Sequence, residues 1–151
     1  MADLRLEWHI EGEKQVSRKL RGIAESLRDW TPAFQKIAGE LRRDFSGDVF
    51  ESEGEAIGER WTPLSRAYAE RKAVKYPGKG ILEATGKMRR AFQSQYDATS
   101  ARVWNNIAYF KYHQSNKLPR RKLPRRVMMK LDNDRKEFIQ RTFLEAVRGK
   151  I

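Results

Sequence analysis

The sequence predicts an α+β fold, a small antiparallel sheet packed against amphipathic helices, with long extended loops. Three observations predict it. Apolar residues recur at helical spacing over 13–29, 32–49 and about 133–148. They alternate with polar residues over Leu4–Ile10, and Phe92, Ser94, Tyr96 and Ala98, then Ala101, Val103 and Asn105, fall at the spacing of two further strands. The two kinds of segment follow one another irregularly, without the regular β-α-β order of a parallel sheet. The 151 residues read as one domain, 1–151.

In chain order, Leu4, Leu6, Trp8 and Ile10 share one face of the first strand, which Gly12 closes. Val16, Leu20, Ile23, Ala24 and Leu27 then line one helix face. Thr31-Pro32 opens a second helix, with Thr31 as N-cap and Pro32 in the first turn. Its stripe is Phe34, Ile37, Ala38, Leu41 and Phe45, extending to Val49. The link between the two helices is short, so they form either an antiparallel pair or one kinked rod. Residues 51–60 are rich in Gly, Glu and Ser and read as a mobile loop.

Thr62-Pro63 repeats the cap-and-proline start, and Leu64, Ala67, Tyr68 and Arg71 follow at helical spacing until Tyr76-Pro77-Gly78. Thr85 caps a short turn carrying Met88. Two strands meeting near Thr99-Ser100 come next, for a total of three or four in the chain. Residues 107–114 fit a helix or a strand. Pro119 and Pro124 exclude regular structure from 117–126.

Composition bounds the function. Hydrophobic residues make up 39% and charged residues 34%, so a modest core lies under a highly charged exterior. The absence of cysteine excludes disulfides and zinc-thiolate sites. Thirty-two Lys and Arg against 20 Asp and Glu leave +12, a charge that attracts polyanions or acidic protein faces. No stretch is apolar enough to span a bilayer and the N-terminus lacks the apolar run of a secretion signal, so a soluble, intracellular chain without membrane contact is expected.

Charge concentrates in one place. Lys117, Arg120, Arg121, Lys122, Arg125, Arg126 and Lys130 put seven cations into fourteen residues with no acid among them until Asp132. Leu-Pro-Arg-Arg occurs there twice, and its prolines hold the run extended. Such an arm suits phosphates, an acidic groove on a partner, or merely solvent. Trp104, Tyr109, Phe110 and Tyr112 stand beside it, either as base-stacking groups or as core and interface. Trp61, Leu64 and Tyr68, next to the glycine-containing loop, pack either into the chain's own core or onto a partner.

Catalytic signals are thin. His9 and His113 are the two histidines, and no acidic cluster has metal-ligand spacing. Glu70-Arg71-Lys72 matches a three-residue fragment of some nucleases, but positions i and i+2 do not share a helix face. Gly78-Lys79-Gly80 lacks the remainder of a phosphate-binding loop.

A set of motifs runs from Gly58 to Met129: Gly58-x-x-Trp61-Thr62-Pro63-Leu64-Ser65, Tyr68 and Lys72, Ile81-Leu82-x-x-Thr85-Gly86, Ile107-Ala108, His113-Gln114, and Leu123-Pro124-x-Arg126. Together they resemble the phage virion morphogenesis family, the tail-completion proteins of Mu-like phages and prophages. The sequence departs from the family pattern at Ser115-Asn116, where glycine is usual, and at Arg125, where a small residue is usual.

The resemblance implies a structural protein, not an enzyme, with no cofactor. It implies a ring, a hexamer favoured, acting in the virion at the head–tail interface or tail terminus after assembly in the host cytoplasm. Expected partners are other copies of the chain, neighbouring connector and tail proteins, and packaged DNA touched without sequence preference. In that setting the loops at 51–60 and 115–126 would order on adjacent subunits, and Val127–Met129 would add a strand to a neighbour's sheet. Deleting 117–126 would then abolish joining without unfolding the chain. The rival reading is a sequence-independent nucleic-acid binder.

Overall fold

The computed structural model describes residues 13–115 and 123–150. The expected strand Leu4–Ile10, His9, and Lys117, Arg120, Arg121 and Lys122 of the basic run lie outside them. Seven α-helices, one 3-10 turn at Glu55–Ile57 and one hairpin are the regular elements among the described residues: α1 Glu13–Ser26, α2 Thr31–Ser46, α3 Asp48–Glu51, α4 Arg66–Lys75, α5 Lys87–Arg90, β1 Phe92–Tyr96, β2 Ala101–Asn105, α6 Phe110–Gln114 and α7 Asn133–Arg148. The class is α+β.

The core gathers on α2. Its inward face of Ala33, Ile37, Ala38, Leu41 and Phe45 follows the apolar stripe of the sequence, and Val49 and Phe50 of α3 prolong it. The β1–β2 hairpin lies against α2, with Phe92 opposite Asn105 and Tyr96 opposite Ala101. Aromatic rings bind the layers edge to face. Phe50 meets Trp61 at 5.3 Å and Phe92 at 6.1 Å, and Phe92 meets Phe110 at 5.8 Å. α7 packs on the flank of α2, where the Phe143 ring meets Trp30 and Phe34. Within that flank the Thr142 hydroxyl is satisfied by donating to the Phe138 carbonyl at 2.9 Å.

Leu27–Trp30 separates α1 from α2, so they are two helices and not one rod. The junction is fastened from two sides. The Trp30 amide donates to the Ala98 carbonyl of the hairpin turn at 3.1 Å. The Lys150 ammonium donates to the carbonyls of Ser26 and Asp29, where the helix-end dipole favours a cation.

Several boundaries differ from the sequence reading. Trp30, not Thr31, takes the N-cap position of α2, and Asp29 Oδ1 beside it accepts from the Thr31 amide at 2.9 Å; hydrogen bonds from the Thr31 side chain and then its amide hold the Asp29 carboxyl below its ordinary pKa. α4 starts at Arg66, with Ser65 in the cap position, because the Thr62 carbonyl is taken by Arg126. Within 107–114, Phe110–Gln114 forms the short helix α6.

The 51–60 segment, expected to be a mobile loop, is a folded turn. Gly54 donates to the Val49 carbonyl at 2.8 Å and Trp61 to the Glu53 carbonyl at 2.7 Å, while Ile57 is fully buried. Glycine is required at Gly54: φ is +88°, and a Cβ would sit 2.2 Å from the Glu59 carbonyl oxygen.

Candidate functional site

Most of the side chains in those sequence motifs converge on one cavity of about 750 Å3. Its apolar wall comes from Pro63, Leu64, Tyr68, Leu82, Met88 and Leu123. Thr85, His113 and Pro124 also line it. Leu82 reaches it from a left-handed backbone, φ +63°, a conformation costly for a branched side chain and held by its surroundings.

Two cations form the polar part of the lining. Lys72 is 6% exposed and Arg126 5%, although their surroundings are partly apolar. The Lys72 ammonium donates to the Gly80 carbonyl. Arg126 donates from Nε and Nη2 to the Thr62 carbonyl, at 3.0 and 2.8 Å. Burial lowers the pKa of both from their ordinary values, with Glu53 opposing the shift in each case.

The neighbouring carboxylates are committed elsewhere. Glu83 meets Arg89 at 2.7 Å, and Glu53 accepts from the Ile81 amide at 3.4 Å. Among the described residues, neither Lys72 nor Arg126 forms an ion pair.

The wall behind the cations is built by the motif residues that do not face the cavity. The Trp61 indole N–H donates to the Val127 carbonyl at 2.7 Å. The Gln114 carboxamide works like a short piece of strand: Oε1 accepts from the amides of Met128 and Met129, at 2.8 and 3.2 Å, and Nε2 donates to the Met129 carbonyl at 2.7 Å. The Arg126 amide donates to the carbonyl of buried His113 at 2.8 Å. Segment 123–129 is therefore stitched to α6 and to Trp61.

This geometry corrects several expectations. Trp61 and Val127 are core residues, 3% and 4% exposed, and cannot face a partner in this fold. Val127–Met129 is not laid out as a free strand, since Trp61 and Gln114 occupy the Val127 carbonyl, the Met128 amide and both backbone groups of Met129. The basic run is not a uniform arm. Arg126 is buried, Lys130 pairs with Glu59 at 2.8 Å, and Arg125 is exposed with Nε donating to the Gln114 carbonyl at 3.3 Å. Deleting 117–126 would remove the Arg126 bonds to Thr62 and His113. That deletion is now expected to lower the thermal midpoint by several degrees, which calorimetry would read.

Leu64 and Tyr68 do line the cavity, with Tyr68 47% exposed at its rim. Lys72 enters the sequence reading only as a motif residue: its spacing of four from Tyr68 puts the two on one face of α4 but does not say that this face is covered. α4 is inverted in this respect, with Lys72 buried and Val74 87% exposed. Glu70 bonds Arg66 on the surface instead of joining Lys72, so the nuclease fragment assembles nothing. Among the described residues no cluster of His, Asp and Glu could hold a metal, and no helix is long and apolar enough to cross a membrane.

Comparison with known protein families gives a match over most of the chain. A model described as the phage virion morphogenesis family covers residues 12–148. No curated protein and no solved structure matches.

Proposed function

The chain belongs to the phage virion morphogenesis family, and from that premise we propose that it is a non-enzymatic structural subunit completing the tail or joining tail to head. It works as a homo-oligomeric ring, six-fold by resemblance, in the virion. One observation carries this reading beyond family membership. α1 is amphipathic, yet Val16 and Leu20 on its apolar face are 55% and 61% exposed. A helix of 14 residues is marginal in water without packing. Its apolar stripe supports an interface that a neighbouring subunit completes, and repeated around an axis such an unlike-surface contact closes a ring.

Native mass spectrometry across concentration, with and without a short DNA duplex, tests the reading. A discrete cyclic species is expected. Leu20→Glu is expected to shift assembly to at least about ten-fold higher concentration, since it places a charge in an apolar contact. The thermal midpoint of the monomer should stay unchanged. A monomer that coats the duplex in salt-sensitive steps would overturn the proposal in favour of a nucleic-acid binder.

A further inference from the structure

We propose that the cavity between α4 and segment 123–126 is a docking site for an acidic, otherwise apolar peptide segment of a different virion protein, whose carboxylate is taken by Lys72 and Arg126. The identity of the partner as a virion protein rests on the assembly reading. The chemistry of the site does not.

Among the described residues the hydrogen-bond partners of this ammonium and guanidinium are carbonyls, and the nearby carboxylates Glu53 and Glu83 offset the burial only in part, so the arrangement is unfavourable. Lys72 has three donors and Arg126 five, and the carbonyls of Gly80 and Thr62 engage only part of that set among the described residues. Both side chains border the same open volume. A carboxylate entering it would complete two charge-assisted sets of bonds at once, one of them to a planar guanidinium.

The lining decides between classes of anion. Phosphates of a nucleic acid are met by exposed, mobile cations, and their sugar-phosphate chain brings little that is apolar. Here the cations are buried and share their cavity with Leu64, Leu82, Met88 and Leu123, surfaces that an aliphatic peptide side chain covers. The occupant is therefore a peptide. A volume of about 750 Å3 takes a few side chains, not a folded surface.

The chain's own acidic turn is not the occupant. Glu51 is held by Arg89 and Glu59 by Lys130, and Glu53 accepts from Ile81. With +12 on every copy, an acidic segment from a different protein is the complementary partner.

The probe is acetyl-Leu-Glu-Leu-Asp-Leu-amide, titrated calorimetrically into the full-length chain at physiological salt, against its Gln/Asn analogue. The acidic peptide should bind at least about ten-fold more tightly than the amide analogue. Lys72→Met should remove that preference. It should leave the thermal midpoint equal or higher, because it takes away a buried charge. Leu123→Asp, at a position 50% exposed on the rim, should abolish binding, while Val74→Asp on the outer face of α4 should not. Equal binding of the two peptides, or none, overturns the proposal. So does displacement of the acidic peptide by a short DNA duplex or by inorganic phosphate. Dissociation of the protein's own oligomer by the peptide would overturn it in favour of a second copy as occupant. Ring formation is read separately, so either idea can fail without the other.

Discussion

Trp61→Ala is expected to destabilise the protein by about 3–5 kcal/mol, which chemical denaturation would read directly. The indole fills the space between Phe50 and Gly54, its ring 5.3 Å from the Phe50 ring at 88°. Truncation leaves a cavity there and strands the Val127 carbonyl, a buried acceptor. Against the ~5–15 kcal/mol that holds a typical domain together, the loss is a large share. Trp61→Phe separates the two parts. It keeps most of the packing and loses the N–H, so a cost of about 1–3 kcal/mol is expected. A cost below about 1 kcal/mol for the alanine variant would mean that Trp61 is not the pivot of this wall. Because Val127 adjoins Arg126, the same variant should also weaken binding of the acidic probe peptide.

The second large effect is expected at Arg135, on the first turn of α7. Its side chain is 9% exposed, and it bonds Asp132 at 3.0 Å, Asp44 at 3.3 Å and the Ala56 carbonyl at 3.1 Å. It also lies over the Phe45 ring. Asp132 has a second duty, accepting from the Arg135 amide as the N-cap of α7. Arg135→Met preserves much of the packing but leaves two half-buried carboxylates unpaired. Breaking a buried pair from one side costs about 3–5 kcal/mol.

The pH dependence gives this prediction a direction. Burial holds the Asp44 carboxyl above its ordinary value of 3.8, with Arg135 opposing the shift. A carboxyl whose folded pKa is raised binds its proton more tightly in the folded state. Its contribution to stability therefore falls as pH rises through the window between the ordinary and the folded value. Removing Arg135 raises the folded value further and widens that window. The deficit of Arg135→Met is thus expected to be smallest near pH 3.8 and to grow toward neutrality. Adding Asp44→Asn should recover part of it at neutral pH. Denaturation curves of the single and double variants that kept the same deficit at acidic and neutral pH would sink the electrostatic account.

Much of the scaffold was legible because it is local. The stripe of α2, the apolar face of α7 and the Phe92–Asn105 hairpin follow from periodicity and turn chemistry within a few residues. Where the reading failed, a distant group had intervened. Thr62 reads as a helix cap in isolation, but its carbonyl accepts from a guanidinium 64 positions away, so the helix starts later. Segment 51–60 reads as mobile by composition, yet Trp61 and Ile57 fold it onto the core. Val127–Met129 has a strand-like composition, but the Gln114 carboxamide takes the place of a neighbouring strand.

By itself, then, the sequence determined the class of fold, the helical layer under the hairpin, and family membership through the motifs between Gly58 and Met129. Only the tertiary structure decided that Lys72 and Arg126, like Arg135, are among the few of 32 basic residues that lie inside. Nothing local distinguishes a cation that will be buried from one that will be solvated, since hydration favours the surface for both. The difference is made by walls brought from Pro63–Tyr68, Leu82–Met88 and Leu123–Pro124, which close over these two charges and over few others.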